Sequence, residues 1–122
     1  MSHIENSFKK RFPLDKRMEE SRRIIAKYPD RVPVIVENSR KCDHDFPTLD
    51  KQKYLVPGDL SAAQFSFVIR KRLKLKPQKA MFLLFDNEMI TTSSLMKDIY
   101  DRKKDVDNFL YVICSGENTF GS

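Results

Sequence analysis

Lys53-Tyr-Leu-Val-Pro-Gly-Asp-Leu-Ser-Ala-Ala-Gln-Phe-Ser-Phe-Val-Ile-Arg-Lys-Arg-Leu73 decides the fold. Its first four residues read as a short strand, closed by Pro57-Gly58, a turn signal. Ser61 and Gln64 stand at capping-box spacing, so each satisfies an amide at the start of a helix. Leu60 is placed to pack on Phe65 as a hydrophobic staple. Phe65, Val68, Ile69 and Leu73 then continue one apolar face, and the helix is expected to run until Pro77.

Downstream, Met81-Phe-Leu-Leu-Phe85 reads as a buried strand. Ser93 or Ser94 is expected to cap a last helix through Tyr100, before a final strand from Phe109 to Ser115. Upstream, Ile4, Phe8 and Phe12 fall four apart on a short basic helix that Pro13 ends. Leu14, Met18, Ser21, Ile25 and Tyr28 make the next helical face, with Asp15 near its start and Pro29 as its stop. Val32 to Glu37 reads as a strand, and Pro33 suggests an edge or first-residue position. A polar loop follows from Asn38 to Thr48. Strands bracketing one central helix suggest an α+β sheet with helices on one face.

Length and composition narrow the function. A chain of 122 residues, 40% hydrophobic with nine phenylalanines, suits one domain with a real core. The net charge of +6 gathers in two clusters: Lys9-Lys10-Arg11 with Lys16, Arg17, Arg22 and Arg23, and Arg70-Lys71-Arg72 with Lys74, Lys76 and Lys79. Such clusters suit nucleic acid, acidic lipid, acidic peptides or plain solvent, and charge alone does not choose. A basic RNA-binding domain has little support, since no aromatic ladder is interleaved with the charges. Cys42 and Cys114 make no disulfide framework, and no signal peptide or bilayer-length apolar run is visible. The expectation is a cytosolic chain with reduced thiols, reaching membranes only by lying on them or being attached.

Cys42-Asp-His-Asp45 resembles a metal or nucleophile cluster, but His3 is the only other histidine and zinc-finger spacing is missing. No phosphate loop fits a chain with three glycines, and no catalytic constellation appears. The expectation is no enzyme, no metal and no cofactor.

The carboxyl end is more specific. The polar tail Gly116-Glu-Asn-Thr-Phe-Gly121 follows the last strand and precedes a single Ser122. A glycine without a Cβ enters narrow channels, although small polar residues also simply end many chains. Phe8-Lys9 with Lys16-Arg17, Arg31-Val-Pro-Val-Ile35, Asp50-Lys-Gln-Lys-Tyr-Leu-Val-Pro57, Gln64-Phe65, Val68-Ile-Arg-Lys-Arg72, Phe109-Leu-Tyr-Val112 and Ser115 to Gly121 occur in this order. Together they resemble the autophagy ubiquitin-like modifiers, the family that includes GABARAP and the microtubule-associated protein light chains.

The resemblance covers about Ser7 to Gly121. It implies a ubiquitin-like β-grasp with two additional N-terminal helices: a helical extension over 1–29, the β-grasp over 30–115 and a tail over 116–122. It further implies that a processing cysteine protease removes Ser122, with Phe120 anchoring the tail and Gly121 clearing the channel. Ubiquitin-like activating and conjugating enzymes would then pass the Gly121 carbonyl, as a thioester, to the amine of phosphatidylethanolamine. The chain is then a monomeric substrate, cytoplasmic until lipidated and afterwards on the autophagosomal membrane, with no nucleic acid expected.

The resemblance also implies recognition of acid-flanked aromatic-x-x-aliphatic peptides of receptors and adaptors, added as a strand to the Lys53–Val56 edge. By position, the aromatic pocket comprises Glu20, Ile24, Pro33, Ile35, Lys53, Leu55 and Phe109. The aliphatic pocket comprises Tyr54, Val56, Pro57, Leu60, Phe65 and Val68. Arg31, Lys51, Lys53 and Arg72 are the contacts for peptide acids, and Arg72 also faces the protease. Read from periodicity alone, the same apolar residues are core, and Lys51 with Lys53 is a solvated pair. The first helix either docks on the body or lies in a membrane interface. The sequence departs from the family's usual pattern in a longer 39–48 loop and in a proline-free Asn87-Glu-Met-Ile-Thr91. The alternative function is a non-conjugated peptide-binding scaffold in vesicle or microtubule-linked trafficking.

Overall fold

The computed structural model describes residues 7–39, 47 and 49–116. The expected tail residues Phe120, Gly121 and Ser122, and the Cys42–Asp45 cluster, lie outside them.

Helix α1 (Phe8–Arg11) is one turn. The Ser7 hydroxyl accepts the Lys10 N–H at its start, and Pro13 follows too soon for it to continue. Helix α2 (Leu14–Lys27) begins directly after Pro13, with Asp15 in the first turn, where a negative charge suits the helix dipole. Its inward face differs from the expected one. Ser21 is fully buried as expected, but Leu14 and Tyr28 are exposed and Ile24 packs against Phe8, Ile35 and Phe109. The cause is polar: Ser21 Oγ donates to the Asp107 carbonyl at 2.6 Å and turns the neighbouring stripe inward.

Strands β1 (Arg31–Asn38), β2 (Lys53–Pro57), β3 (Phe82–Phe85) and β4 (Leu110–Ser115) form one sheet in the order β2-β1-β4-β3. β1 runs parallel to β4, and the outer pairs are antiparallel. Pro33 therefore sits in an interior strand, against the edge position expected from its missing donor. Val36 N–H donates to Gln52 O on the β2 side, so by alternation the Pro33 nitrogen faces β4. The β4 ladder begins only at Val34, and no donor is needed one residue earlier.

The helices cover both faces of the sheet, not one. Val32, Val34 and Val36 point into the main core with Phe65, Ile69, Met96 and Ile99, from α3 (Ala62–Leu73) and α4 (Met96–Lys103). The intervening Ile35 points the other way, into a smaller cluster with Phe8 and Phe109 under α1 and α2. This explains the uninterrupted burial from Val32 to Glu37. Each fully buried Phe or Ile contributes about 1.5–3 kcal/mol over leaving it exposed.

The capping box of Ser61 and Gln64 is present in both directions, at 3.1 and 2.8 Å. α3 stops at Leu73, short of Pro77, because Lys74 turns left-handed at φ 56° and Leu75 N–H returns to Arg70 O. Val68 is exposed, outside the expected buried face. α4 starts at Met96 and ends at Lys103, later than expected at both ends. Ser94 is not its cap: its hydroxyl pairs with Thr91 Oγ1, and its carbonyl takes the Ala62 N–H. At Gly58 the β2–α3 turn presses on α4, where a Cβ would come within 3.0 Å of Lys97 Cβ.

Candidate functional site

β2 is an edge strand, and among the described residues no strand pairs with its outer side. Since Gln52 faces β1, alternation turns the backbone groups of Lys53 and Leu55 outward. The Arg31 guanidinium lies 3.4 Å from the outward Leu55 carbonyl, consistent with that direction. The edge thus offers donors and acceptors to an added strand.

Side chains along β2 divide between the two faces. Tyr54 and Val56 are buried in the α3 core, with Tyr54 edge-on to Phe65 at 6.3 Å. Lys53 and Leu55 face the α2 side, opposite Ile35 and Pro33 in register. The residues expected in the aromatic pocket therefore gather on one face, and Tyr54, Val56, Leu60 and Phe65 of the expected aliphatic pocket on the other, whereas Pro57 alternates onto the α2 face. Residues three apart on an extended peptide also point to opposite faces. An aromatic-x-x-aliphatic peptide added to this edge would direct its first anchor toward α2 and its second toward α3.

Depth differs within each group. Ile35, Phe109 and Phe65 are at most 1% exposed and form floors rather than walls. Pro33, Val56 and Tyr54 are also buried. Ile24, Leu55, Pro57 and Leu60 are half-buried, and Val68 is the open wall of the α3 side. Across the α2 side, Lys53 Nζ meets Glu20 Oε2 at 2.5 Å. Lys51 lies over the Tyr54 ring at 5.3 Å, and Arg72 stands 3.5 Å from Asp50. Burial pushes the Tyr54 phenol up, against the pull of the Arg72 charge. Arg31, Lys51, Lys53 and Arg72 are all exposed around the edge.

A groove of about 650 Å³ lies elsewhere, just past the end of β2. Only Arg31 and Pro57 of the expected residues line it, beside Ile25, Gly58, Lys97 and Tyr100. The edge itself is shallow because its floors are filled by the protein's own side chains.

Sequence reading also missed the polar hub that sets the α2 side. The buried Asp107 Oδ2 accepts from Arg17 Nη1 and from the Tyr111 hydroxyl, both at 2.6 Å. Its other oxygen accepts the Phe109 N–H at 2.8 Å. Burial disfavours the Arg17 charge, but Asp107 and Tyr111 together outweigh it and raise the guanidinium pKa. Burial and then Asp107 push the Tyr111 phenol well up. The hub locks α2 to the start of β4 and so holds Ile24 over Phe109. Nearby, Glu37 Oε2 accepts the Phe8 N–H at 2.7 Å and seats α1 on the same cluster. Tyr111 and Phe109 are local partners of Asp107, but no local signal marks Arg17, 90 residues from Asp107, or Phe8, 29 from Glu37.

The family model described as Autophagy protein Atg8 ubiquitin like matches residues 16–121. Autophagy-related protein 8A of Oryza sativa subsp. indica is 55% identical over 116 residues, spanning 95% of this chain and 96% of the relative. Autophagy-related protein 8d of Arabidopsis thaliana is 53% identical, spanning 95% of both chains. Autophagy-related protein 8 of Mycosarcoma maydis is 52% identical over 118 residues, spanning 97% of this chain and 98% of the relative.

Proposed function

The chain belongs to the Atg8 family of autophagy ubiquitin-like proteins, and from that premise we propose that it is a lipid-conjugated modifier that recruits peptide-bearing receptors. A cysteine protease cleaves after Gly121 and releases Ser122. An activating enzyme adenylates the freed carboxylate and takes it as a thioester. A conjugating enzyme then presents that thioester to the amine of phosphatidylethanolamine, which displaces the thiolate and forms an amide. The chain is the acyl donor throughout and supplies no catalytic group. Two acyl chains hold a soluble domain at a bilayer where one gives marginal binding. The protein thus passes from the cytoplasm to the autophagosomal membrane.

At the membrane, β2 takes up receptor and adaptor peptides of aromatic-x-x-aliphatic type. Main-chain hydrogen bonds supply affinity and the two flanking clusters supply specificity. The observation that carries this reading is the division of β2 neighbours: Ile24, Pro33, Ile35 and Phe109 on one face, Leu60 and Phe65 on the other.

Intact-mass analysis tests the conjugation half. The chain is incubated with its protease, activating and conjugating enzymes and phosphatidylethanolamine vesicles, beside a Gly121→Ala control. Loss of Ser122 and gain of one lipid, both absent from the control, are expected. An active enzyme set that produced neither would leave a non-conjugated peptide-binding scaffold in vesicle or microtubule-linked trafficking.

A further inference from the structure

The lysines after α3 do not belong to the peptide edge. Arg70 uses both terminal nitrogens to pin the segment that follows its own helix. Nη1 donates to the Lys79 carbonyl at 2.9 Å and Nη2 to the Lys76 carbonyl at 3.0 Å. Around this pinned turn Lys71, Lys74 and Lys76 are exposed. Beside it Phe67 is 61% exposed, with the Lys71 ammonium 5.5 Å from its ring centre. Shallow grooves of about 420 and 460 Å³ share Lys74 and Leu75, so the surface runs unbroken from Phe67 to Lys79. No Asp or Glu lines either groove among the described residues.

The place of this surface in the fold identifies its occupant. Phe82 pairs with Ser115, so β3 begins level with the end of β4. The basic segment therefore leads into the sheet at the end from which the carboxyl tail departs. Six residues carry the chain from Ser115 to Gly121, a reach of at most about 20 Å when fully extended. A bilayer joined to Gly121 is held within that distance of Ser115, at the end of the sheet into which the basic segment leads.

We infer that the Phe67–Lys79 surface is the face that meets anionic phospholipid headgroups when the protein is held at a bilayer by its carboxyl end. Lysines in a negative surface potential favour contact by about fivefold each. An aromatic side chain among them suits the headgroup level. The inference rests on the tethering proposed above. It has a geometric corollary: β3 and β2 are opposite edges of the sheet, so a membrane on this side leaves β2 open to receptors.

The test supplies the tether independently of the conjugation enzymes. The full chain, carrying a hexahistidine tag after Ser122, is held on vesicles containing nickel-chelating lipid. One set is otherwise phosphatidylcholine and the other also contains phosphatidylserine. Hydrogen exchange of the backbone amides is compared between them. Amides of residues 67–79 are expected to slow several-fold only on phosphatidylserine, and the difference should vanish at high salt. Lys74→Gln with Lys76→Gln, both on exposed positions, should lower the docking equilibrium about 25-fold, at about fivefold per charge. Equal exchange on both vesicles, or protection unchanged in the double variant, overturns the inference. So does protection by a soluble acidic peptide with none from phosphatidylserine, which would make the surface a second peptide site. Failure of conjugation itself appears only in the intact-mass experiment, so the two ideas fall separately.

Discussion

Lys53 of β2 and Glu20 of α2 meet at 2.5 Å across the groove in which an aromatic anchor would lie. Lys53 is half exposed and Glu20 about a quarter, so water weakens their attraction. A peptide carboxylate approaching Lys53 must displace Glu20 and is repelled by it. Glu20→Gln removes the competitor and keeps the side-chain shape. Affinity for an acid-flanked aromatic-x-x-aliphatic peptide should rise by up to about fivefold, since such exposed pairs are worth about 0–1 kcal/mol. Calorimetric titration at low and high salt checks this. Most of the gain should reside in the association rate and disappear as salt rises.

Asp107 is expected to be among the most sensitive polar residues. Asp107→Ala removes one partner of a buried pair, leaving the Arg17 charge and the Tyr111 hydroxyl without their acceptor. The loss should be about 3–5 kcal/mol, read from the urea midpoint at constant slope. The double change Arg17→Met with Asp107→Leu should recover much of it, because no uncompensated buried charge remains.

Phe8 and Phe12 should separate cleanly. Phe8 is 2% exposed and meets Phe109 edge-on at 5.5 Å, whereas Phe12 is 39% exposed. Phe8→Ala should cost about 3 kcal/mol or more through the cavity left over Ile35 and Phe109. Phe12→Ala should cost well under that, as surface changes do. Thermal unfolding of the two variants gives the comparison.

The pH profile should have two identifiable limbs. Burial disfavours the Asp105 carboxylate, but the Lys9 ammonium at 2.6 Å, with the Asp107 N–H and the Arg17 charge, outweighs it and holds the pKa below the usual 3.8. A depressed acid stabilises the fold above about pH 4, and that contribution is lost as pH falls through the lowered pKa. Lys9→Ala should therefore flatten the acid limb. Tyr111 behaves oppositely: burial and Asp107 raise its pKa, so its contribution is whole below pH 10 and declines as pH rises beyond. Tyr111→Phe should flatten the alkaline limb. Denaturant titrations across pH, variant against parent, measure both.

What the sequence disclosed followed the range of the interaction. The capping box of Ser61 and Gln64 was legible because both partners lie within one turn. The β2 strand was legible because Pro57 and Gly58 close it, but its place at the edge of the sheet came only from the family resemblance. The inward face of α2 was legible only in part. Ser21 is buried as expected, but Leu14 and Tyr28 are exposed and Ile24 joins the face, because the Phe8, Ile35 and Phe109 cluster it meets is assembled from distant parts of the chain. The end of α3 was misplaced because Lys74 takes a left-handed conformation that glycine usually announces. Pro33 misled because a missing donor excludes only the side on which a neighbour is already paired. At the site, the pocket residues came from the family resemblance. Their arrangement on two faces emerges only once β2 is in register with β1.

An open strand edge that accepts a receptor's backbone will also accept that of another copy of the same protein. Edge-to-edge pairing of this kind is the first step toward fibrils. β2 carries two of the usual guards against it: Lys53 is charged and exposed, and Pro57 has no N–H to donate. Two copies pairing antiparallel through their Leu55 residues would set each Pro57 against the other copy's Lys53, leaving a hydrogen bond unmade at both ends. A short peptide that engages only the middle of the strand meets neither obstacle. The strand is therefore selective by length as well as by side chain, open to a segment and closed to a sheet.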